Sequence, residues 1–486
     1  MAGSFLSNFS FTLILNLLIK LFWVFVIEIS VQNSLGAEVY GVYFESFNFG
    51  YLFFILLDFG LSNYTNRTVA GDPDALRQLF PSIFNIKIVL TLVYLLVLVL
   101  AALLMGYEAL HMKVILFIGL NHVLMSMMLF FRSNIGGLHL FKTDAVISVM
   151  DRLLMGILCA AFLWLPNMKD SFNLDYFLFA QFVGYFGSML LAWLVVARHG
   201  GKIHPAFDLK LFLEMLKKSY PFALLFFLMG LYTRIDSVML GRLLPNGEFE
   251  VGIYASAFRI LDAAIIFAVL LSGLLLPLFS RMIAQKESVR ELVVESFNVV
   301  LIAAMVLPLS CYFYADLIYP FLYDAHQIYG SKVFSILLIN FIPMAMGYIF
   351  GTLLTAKSEL RLLNYISVAG LIVNVGLNLL FIPRWQALGA VYATLITQSL
   401  VTCCTFYFSL RYFKLRVYDL VNIRVILYVM MNIAGFFLIH TYLWKDGKGL
   451  LISLVLGMLW VFLFKIIRID DLKKLISSKS TSSLSH

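Results

Sequence analysis

Basic side chains stand inside stretches otherwise too apolar for water: Lys20, Lys87, Arg152, Arg234 and Arg259. Carboxylates share such stretches at Glu28, Asp58, Asp151, Asp236 and Asp262, and His122 sits in another. Two chemistries fit this set. A guanidinium donates two parallel hydrogen bonds from a planar fork and suits phosphate, while an ammonium acts as a point charge. A carboxylate among them can titrate and couple the movement of a ligand to a proton or sodium gradient. Catalysis fits poorly. No nucleotide-binding glycine loop, metal cluster or nucleophile triad is visible, so neither cofactor nor metal is implied. The longest polar connection, about Asp316 to Lys332, offers Asp316 and Asp324 without a convergent acid and base. Cys159, Cys311, Cys403 and Cys404 fall in apolar runs and read as small packing residues, with neither disulfide nor metal-ligand spacing.

The surroundings decide what these charges cost. Of 486 residues, 62% are hydrophobic and 13% charged, and the mean hydropathy is +0.95. A soluble domain carries about 25% charged residues, so the solvent for most of this surface is lipid. A spanning helix needs roughly 20 mainly apolar residues. Such windows fall at 9–32, 40–63, 82–106, 111–131, 143–165 and 174–197. They recur at 219–241, 252–279, 293–317, 333–356, 362–383, 386–410, 425–443 and 449–467. The expected fold is an all-α membrane protein of about fourteen transmembrane helices. Met1 to Asn8 carries no Lys or Arg, and no small-residue cleavage pattern follows the first run, which reads as a retained span.

A charge at the bilayer centre costs about 2.5–3.5 kcal/mol on insertion scales, so each must face a partner or water. With a rise of about 1.5 Å per residue, Lys20 and Arg152 come near the midplane of spans one and five. No acid lies one turn away from either, and Asp151 is expected to point elsewhere. Both are candidates to line a hydrated cationic cavity that takes an anionic head group. Arg234, Asp236, Arg259 and Asp262 fall in the outer halves of spans seven and eight, where Arg259 and Asp262 share a helix face. These four read either as part of that cavity or as interhelical ion pairs that fix packing. Glu28, Asp236 and Asp262 are the candidates for ion coupling or ion pairing. Lys87 is expected to snorkel to the inner interface. Asp58 reads as a helix-end group, and His122 as a hydrogen-bonded packing residue.

The net charge of +8 raises nucleic acid as a partner, but its distribution explains it as topology. Lys and Arg crowd Arg198–Lys218, Arg281–Arg290, Arg411–Arg424 and Lys465–Lys479, which alternate to one side of the membrane. That side is the cytoplasm, and both termini lie there. Residues 1–200 then hold spans one to six, 201–218 a basic cytoplasmic connection, and 219–412 spans seven to twelve. Residues 413–468 hold the last two spans, and 469–486 form a partly disordered, Ser-rich tail. A repeat supports two halves. Gly41-Val42-Tyr43 with Phe47 recurs as Gly252-Ile253-Tyr254 with Phe258, and Arg67-Thr68-Val69-Ala70 as Arg281-Met282-Ile283-Ala284. Each copy brackets a span running outside to inside. Parallel repeats suit alternating access around a central site.

Longer motifs add a family. Leu57-Asp58-Phe59-Gly60-Leu61 followed by Asn66-Arg67-x-x-Ala70 resembles the early segment of bacterial polysaccharide exporters. Arg234-Ile235-Asp236-Ser237-Val238-Met239-Leu240-Gly241, then Val251 to Ile260, resembles their most recognisable segment. Asn374-x-x-x-Asn378-Leu379-x-x-Ile382-Pro383, before Leu388-Gly389-Ala390-Val391-Tyr392-Ala393-Thr394, is similar too. The family is the O-antigen and capsular polysaccharide flippases (Wzx-type) of the multidrug/oligosaccharidyl-lipid/polysaccharide superfamily. The resemblance covers spans one to twelve. It implies two six-helix bundles in a V shape, with two further C-terminal helices. It also implies translocation of undecaprenyl-pyrophosphate-linked oligosaccharide across the bacterial inner membrane. Arg234, Asp236 and Arg259 fall at matching motif positions; Lys20 and Arg152 rest on depth alone. The family's glycine doublet between spans eleven and twelve is replaced by Trp385-Gln386-Ala387.

The expected partners are thus a lipid-linked oligosaccharide, membrane lipids and a proton or sodium counter-ion, with no nucleic acid. A drug/cation antiporter of the same superfamily would carry cavity carboxylates without matching Arg and Lys, whereas the buried charges here are balanced or basic. A membrane polysaccharide polymerase or glycosyltransferase would need a large outer loop bearing catalytic groups.

Overall fold

A computed structural model describes residues 16, 18–166, 168, 171–199, 209–324 and 326–466. The tail reading for 469–486, the start of the first span and residues 201–208 of the connection 201–218 lie outside the described residues. Within them the chain is helical, with no strand.

Helix α1 (Leu18–Leu52) carries the first two spans without a polar loop between them. Gly36 breaks it, at φ 76 and ψ 168, a backbone conformation closed to residues with a Cβ. The second span was expected to run to residue 63. It stops at Leu52, passes through a 3-10 turn at Phe54–Leu57, and reverses at Phe59 (φ 44) and Gly60 (φ 83). Helix α2 (Leu61–Gly71) starts there, and the Asp58 carboxylate accepts from Ser62 N–H at 3.3 Å and Ser62 Oγ at 2.5 Å. Asp58 is thus the helix-end group its position suggested.

Four helices follow: α3 (Ala75–Leu104), α4 (Ala109–Gly137), α5 (Phe141–Trp164) and α6 (Leu174–Ala197). On α3 the solvent of the fold is legible. Ile83, Ile86, Leu90, Tyr94 and Leu98 are buried on one face, while Leu92, Leu96, Leu100 and Leu103 are exposed on the other. A water-soluble helix would carry charge on that second face; this one presents leucine to lipid.

Helices α7 (Leu209–Leu243) and α8 (Gly247–Ala284) come next, then α9 (Arg290–Phe313), short α10 (Ala315–Leu322), α11 (Gln327–Ile339) and α12 (Phe341–Ala356). The tenth span is the pair α11–α12, interrupted at Asn340 three residues before Pro343. Helix α13 (Leu360–Phe413) carries two spans, and Gln386 makes the break between them at φ 54 and ψ −132. A glutamine therefore performs the turn for which the resembling family uses glycines, and it bears the strain of a positive φ. The chain closes with α14 (Val417–Leu420), α15 (Ile423–Leu438) and α16 (Gly447–Leu463).

Among the described residues, eleven helices are long and apolar enough to cross a membrane, with α13 at 54 residues the longest, and α16 is a shorter apolar helix. The contacts divide the chain into two compact units, Met1–Ala255 and Ser256–His486. In the first, α4 packs on α6, α2 and α1, α5 on α6, and α7 on α1. In the second, α12 packs on α13, α9 on α11 and α12, and α16 on α9 and α15.

Candidate functional site

The first site residues meet because α1 is locally a π-helix. Over Trp23–Glu28 the backbone widens to i→i+5 bonding, a feature frequent at functional sites. In an α-helix, residues five apart point to different faces; here the wider turn aligns Trp23 with Glu28. Trp23 Nε1 donates to Glu28 Oε2 at 3.0 Å, and Tyr40 OH donates to Oε1 at 3.0 Å. Glu28 is 3% exposed, so both carboxylate oxygens are held away from solvent by neutral donors.

Arg152 comes from α5. Its guanidinium lies over the Trp23 ring at 5.3 Å, with Nε 3.8 Å from Asp151 Oδ2. It also lies within electrostatic reach of Glu28. Asp151 therefore does not point away from Arg152, contrary to the expectation from sequence adjacency. Lys20 is half-buried three residues before Trp23 and within electrostatic reach of Arg152 and Asp151. Lys20, Glu28 and Arg152 form one cluster, its formal charges balanced by Asp151.

An aromatic ladder leads away from it along α1. Tyr40 and Tyr43 centroids are 5.3 Å apart, Tyr43 and Phe47 6.0 Å, Phe47 and Tyr51 6.3 Å, and Tyr51 and Phe54 5.2 Å. Spacings of three and four residues put these rings on one face. Tyr40 and Tyr43 are buried, and Gln181 Nε2 donates to Tyr43 OH at 2.6 Å. Phe47, Tyr51 and Phe54 are half-exposed. Arg234 of α7 lies over the Tyr51 ring at 5.8 Å, a cation–π contact. His122 packs among the Phe47, Tyr51 and Phe54 rings, and its Nδ1 is 3.0 Å from Tyr94 OH. It is fully buried, as a packing residue would be.

Asp236 is not in that cluster. It is fully buried on α7, and its Oδ2 accepts from Tyr254 OH of α8 at 3.1 Å, tying together the two segments of one sequence motif. Gly241 ends the first segment for a packing reason. A Cβ there would stand 2.1 Å from Glu45 Oε2. Arg259 and Asp262 lie on α8 within the second unit, both partly exposed.

Lys87 does not snorkel. Its side chain is 1% exposed, and Nζ donates to Asp58 Oδ1 at 3.0 Å and Ser126 Oγ at 2.8 Å. The α2 reversal brings Asp58 back over α3, which sequence depth alone could not show. Sequence reasoning also passed over Glu45, which is 1% exposed in the second span and accepts from Tyr107 OH at 2.7 Å. Arg242 stacks over the Tyr107 ring at 4.6 Å. The charge of Glu45 inside an apolar window was the available signal.

Comparison with known proteins fits this frame. The family model described as "Polysaccharide biosynthesis protein" matches residues 5–283, more than half of the chain. No curated protein matches it. The lipid II flippase MurJ, in an inward closed conformation, is similar at TM-score 0.72 and 15% identity, covering 95% of this chain and 99% of that one. An inward-facing multidrug resistance MATE family transporter of the MOP superfamily is similar at TM-score 0.65 and 13% identity, covering 82% and 98%. A mutant of the Vibrio cholerae MATE transporter VcmN gives TM-score 0.52 and 13% identity, covering 85% and 99%. At such identities the likeness is one of fold. The chain belongs to the polysaccharide biosynthesis protein family and is built on the fold that MurJ shares with the MATE transporters.

Proposed function

We propose that this protein is a flippase that moves undecaprenyl-pyrophosphate-linked oligosaccharide from the cytoplasmic to the outer leaflet of the bacterial inner membrane, for O-antigen, capsule or exopolysaccharide assembly. The observation that carries the reading is the cluster of Lys20, Glu28 and Arg152 beside a half-exposed aromatic wall capped by Arg234. The task is to carry a charged pyrophosphate and a polar glycan past about 30 Å of hydrocarbon. Guanidinium and ammonium groups can bind the pyrophosphate, and aromatic faces can stack on sugar rings. The polyprenyl tail stays in lipid throughout.

The cluster also suggests how transport is coupled. Lys20 and Arg152 are balanced by Asp151 and Glu28, so the resting cluster does not favour an anion. Proton uptake by Glu28 would leave it net positive and ready for pyrophosphate. Sodium at the same carboxylate would act in the same sense. Asp236 and Asp262 remain secondary candidates for this role, and Arg259 for head-group binding from the second unit. Movement is by alternating access between two six-helix halves, 1–200 and 219–412, with 413–468 appended and both termini cytoplasmic.

The likeness to MATE transporters favours one other reading, a drug/cation antiporter. The paired Arg152 and the Arg234 on Tyr51 argue against a cationic ligand. Reconstitution into vesicles with a lipid-linked oligosaccharide, a leaflet-sensitive readout and a parallel cationic-dye assay separates the two. The flippase reading expects glycan movement above that of empty vesicles; dye movement alone would replace it with the antiporter.

A further inference from the structure

A second polar site lies inside the first unit, beyond the last rung of the aromatic ladder. A cavity of about 360 Å³ opens there, lined by Phe54, Asp58, Asn63, Asn66, Arg132 and Asp144 with neighbouring serines. Its volume falls within the about 300–1,000 Å³ typical of small-molecule sites. The distribution of Lys and Arg places it at the cytoplasmic end of the bundle, where α2 begins and α4 ends.

The charges of this cavity are already spent on each other. Arg132 Nε donates to Asp144 Oδ1 at 2.8 Å and its Nη2 to Oδ2 at 3.3 Å, a bidentate pair. Asp58 is held by Lys87 from behind the wall. A pyrophosphate would meet two carboxylates and no net positive charge, and a metal ion would find no group of three ligands among the described residues. The neutral groups, by contrast, are available. Asn63 and Asn66 project from α2, and neither amide has a hydrogen-bond partner among the described residues. An amide both donates and accepts, as a sugar hydroxyl does. The Phe54 ring supplies an apolar face beside them.

We infer that this cavity binds an uncharged sugar residue of the transported glycan, next to the site where the aromatic wall and Arg234 receive the rest of the molecule. The inference rests on the flippase reading and names one contact within it. It also gives Asn66, which stands in one of the chain's family motifs, a ligand to bind.

The test uses the full-length protein in nanodiscs and two probes: a polyprenyl-pyrophosphate-linked disaccharide and the polyprenyl pyrophosphate alone. The parent should prefer the sugar-bearing lipid by about tenfold, the effect of one or two hydrogen bonds with their neighbours satisfied. Asn66→Leu and the exposed Asn63→Leu should each erase most of that preference and leave binding of the bare pyrophosphate lipid as it was. Asn63 sits at the surface, so its variant reports on the ligand even where Asn66→Leu disturbs folding. Equal affinity of the parent for the two probes, or full preference in Asn63→Leu, overturns the sugar site while leaving the flippase reading intact. Failure of the parent to bind either lipid removes the flippase reading itself, and this inference with it.

Discussion

Gly41 and Gly252 hold each other's helices at backbone contact. A Cβ on Gly41 would lie 1.8 Å from the Glu248 carbonyl oxygen, and one on Gly252 1.9 Å from the Ala37 carbonyl oxygen. Each glycine thus meets the residue four places before the other. That reciprocity is what a two-fold relation between repeated segments produces, and these are the two glycines that open the sequence repeat. The motif recurs because both copies meet at one crossing where no side chain fits.

Gly41→Ala and Gly252→Ala should each destabilise the solubilised protein by about 1–3 kcal/mol, the range for overpacking. Thermal melting of the two singles and the double checks this. Because they share one contact, the double should cost clearly less than the sum. Parent-like melting of both singles would dissolve the crossing.

Lys87→Met should cost about 3 kcal/mol, since it strips a buried ion pair of one partner. Adding Asp58→Asn should recover much of the loss, because the uncompensated carboxylate is then gone. Melting curves of the three proteins decide it, with an unrecovered double variant counting against the pair.

Glu28→Ala leaves the Trp23 indole and Tyr40 hydroxyl without their acceptor, at about 1–3 kcal/mol for each buried group. Glu28→Gln keeps an acceptor and should melt close to the parent, yet lose any proton dependence of transport. Transport by Glu28→Gln that still responds to a proton gradient would move the coupling elsewhere, with Asp236 and Asp262 next in line.

A tag placed in the Arg198–Lys218 connection should be protected from impermeant labels in intact cells, by the positive charge of the inner loops. Labelling from outside would invert the topology.

How much of this was legible depended on which physics fixed each feature. Lipid imposes the helix faces, so the spans and the leucine stripe of α3 were readable from composition and period. The breaks were not. Gly36 joins two spans without a polar loop, and Phe59 and Gln386 turn the chain with positive φ values that neither residue type announces. Those turns also decided partners. The reversal at Phe59–Gly60 carries Asp58 onto Lys87, while depth alone suggested an interfacial lysine. Lys20, Glu28 and Arg152 could be named from sequence. Their meeting depends on a π-turn at Trp23, which no spacing rule predicts.

The central claim is that Lys20 and Arg152 serve an anionic, lipid-linked cargo. It is tested most directly in proteoliposomes, by the rate at which a lipid-linked oligosaccharide crosses between leaflets. The parent, Lys20→Ala, Arg152→Ala and Arg152→Lys should be compared at matched protein levels. Both alanine variants should slow transfer by about tenfold or more, the loss of a charge-assisted hydrogen bond, and Arg152→Lys should fall between them and the parent. Parental rates in both alanine variants would contradict the account.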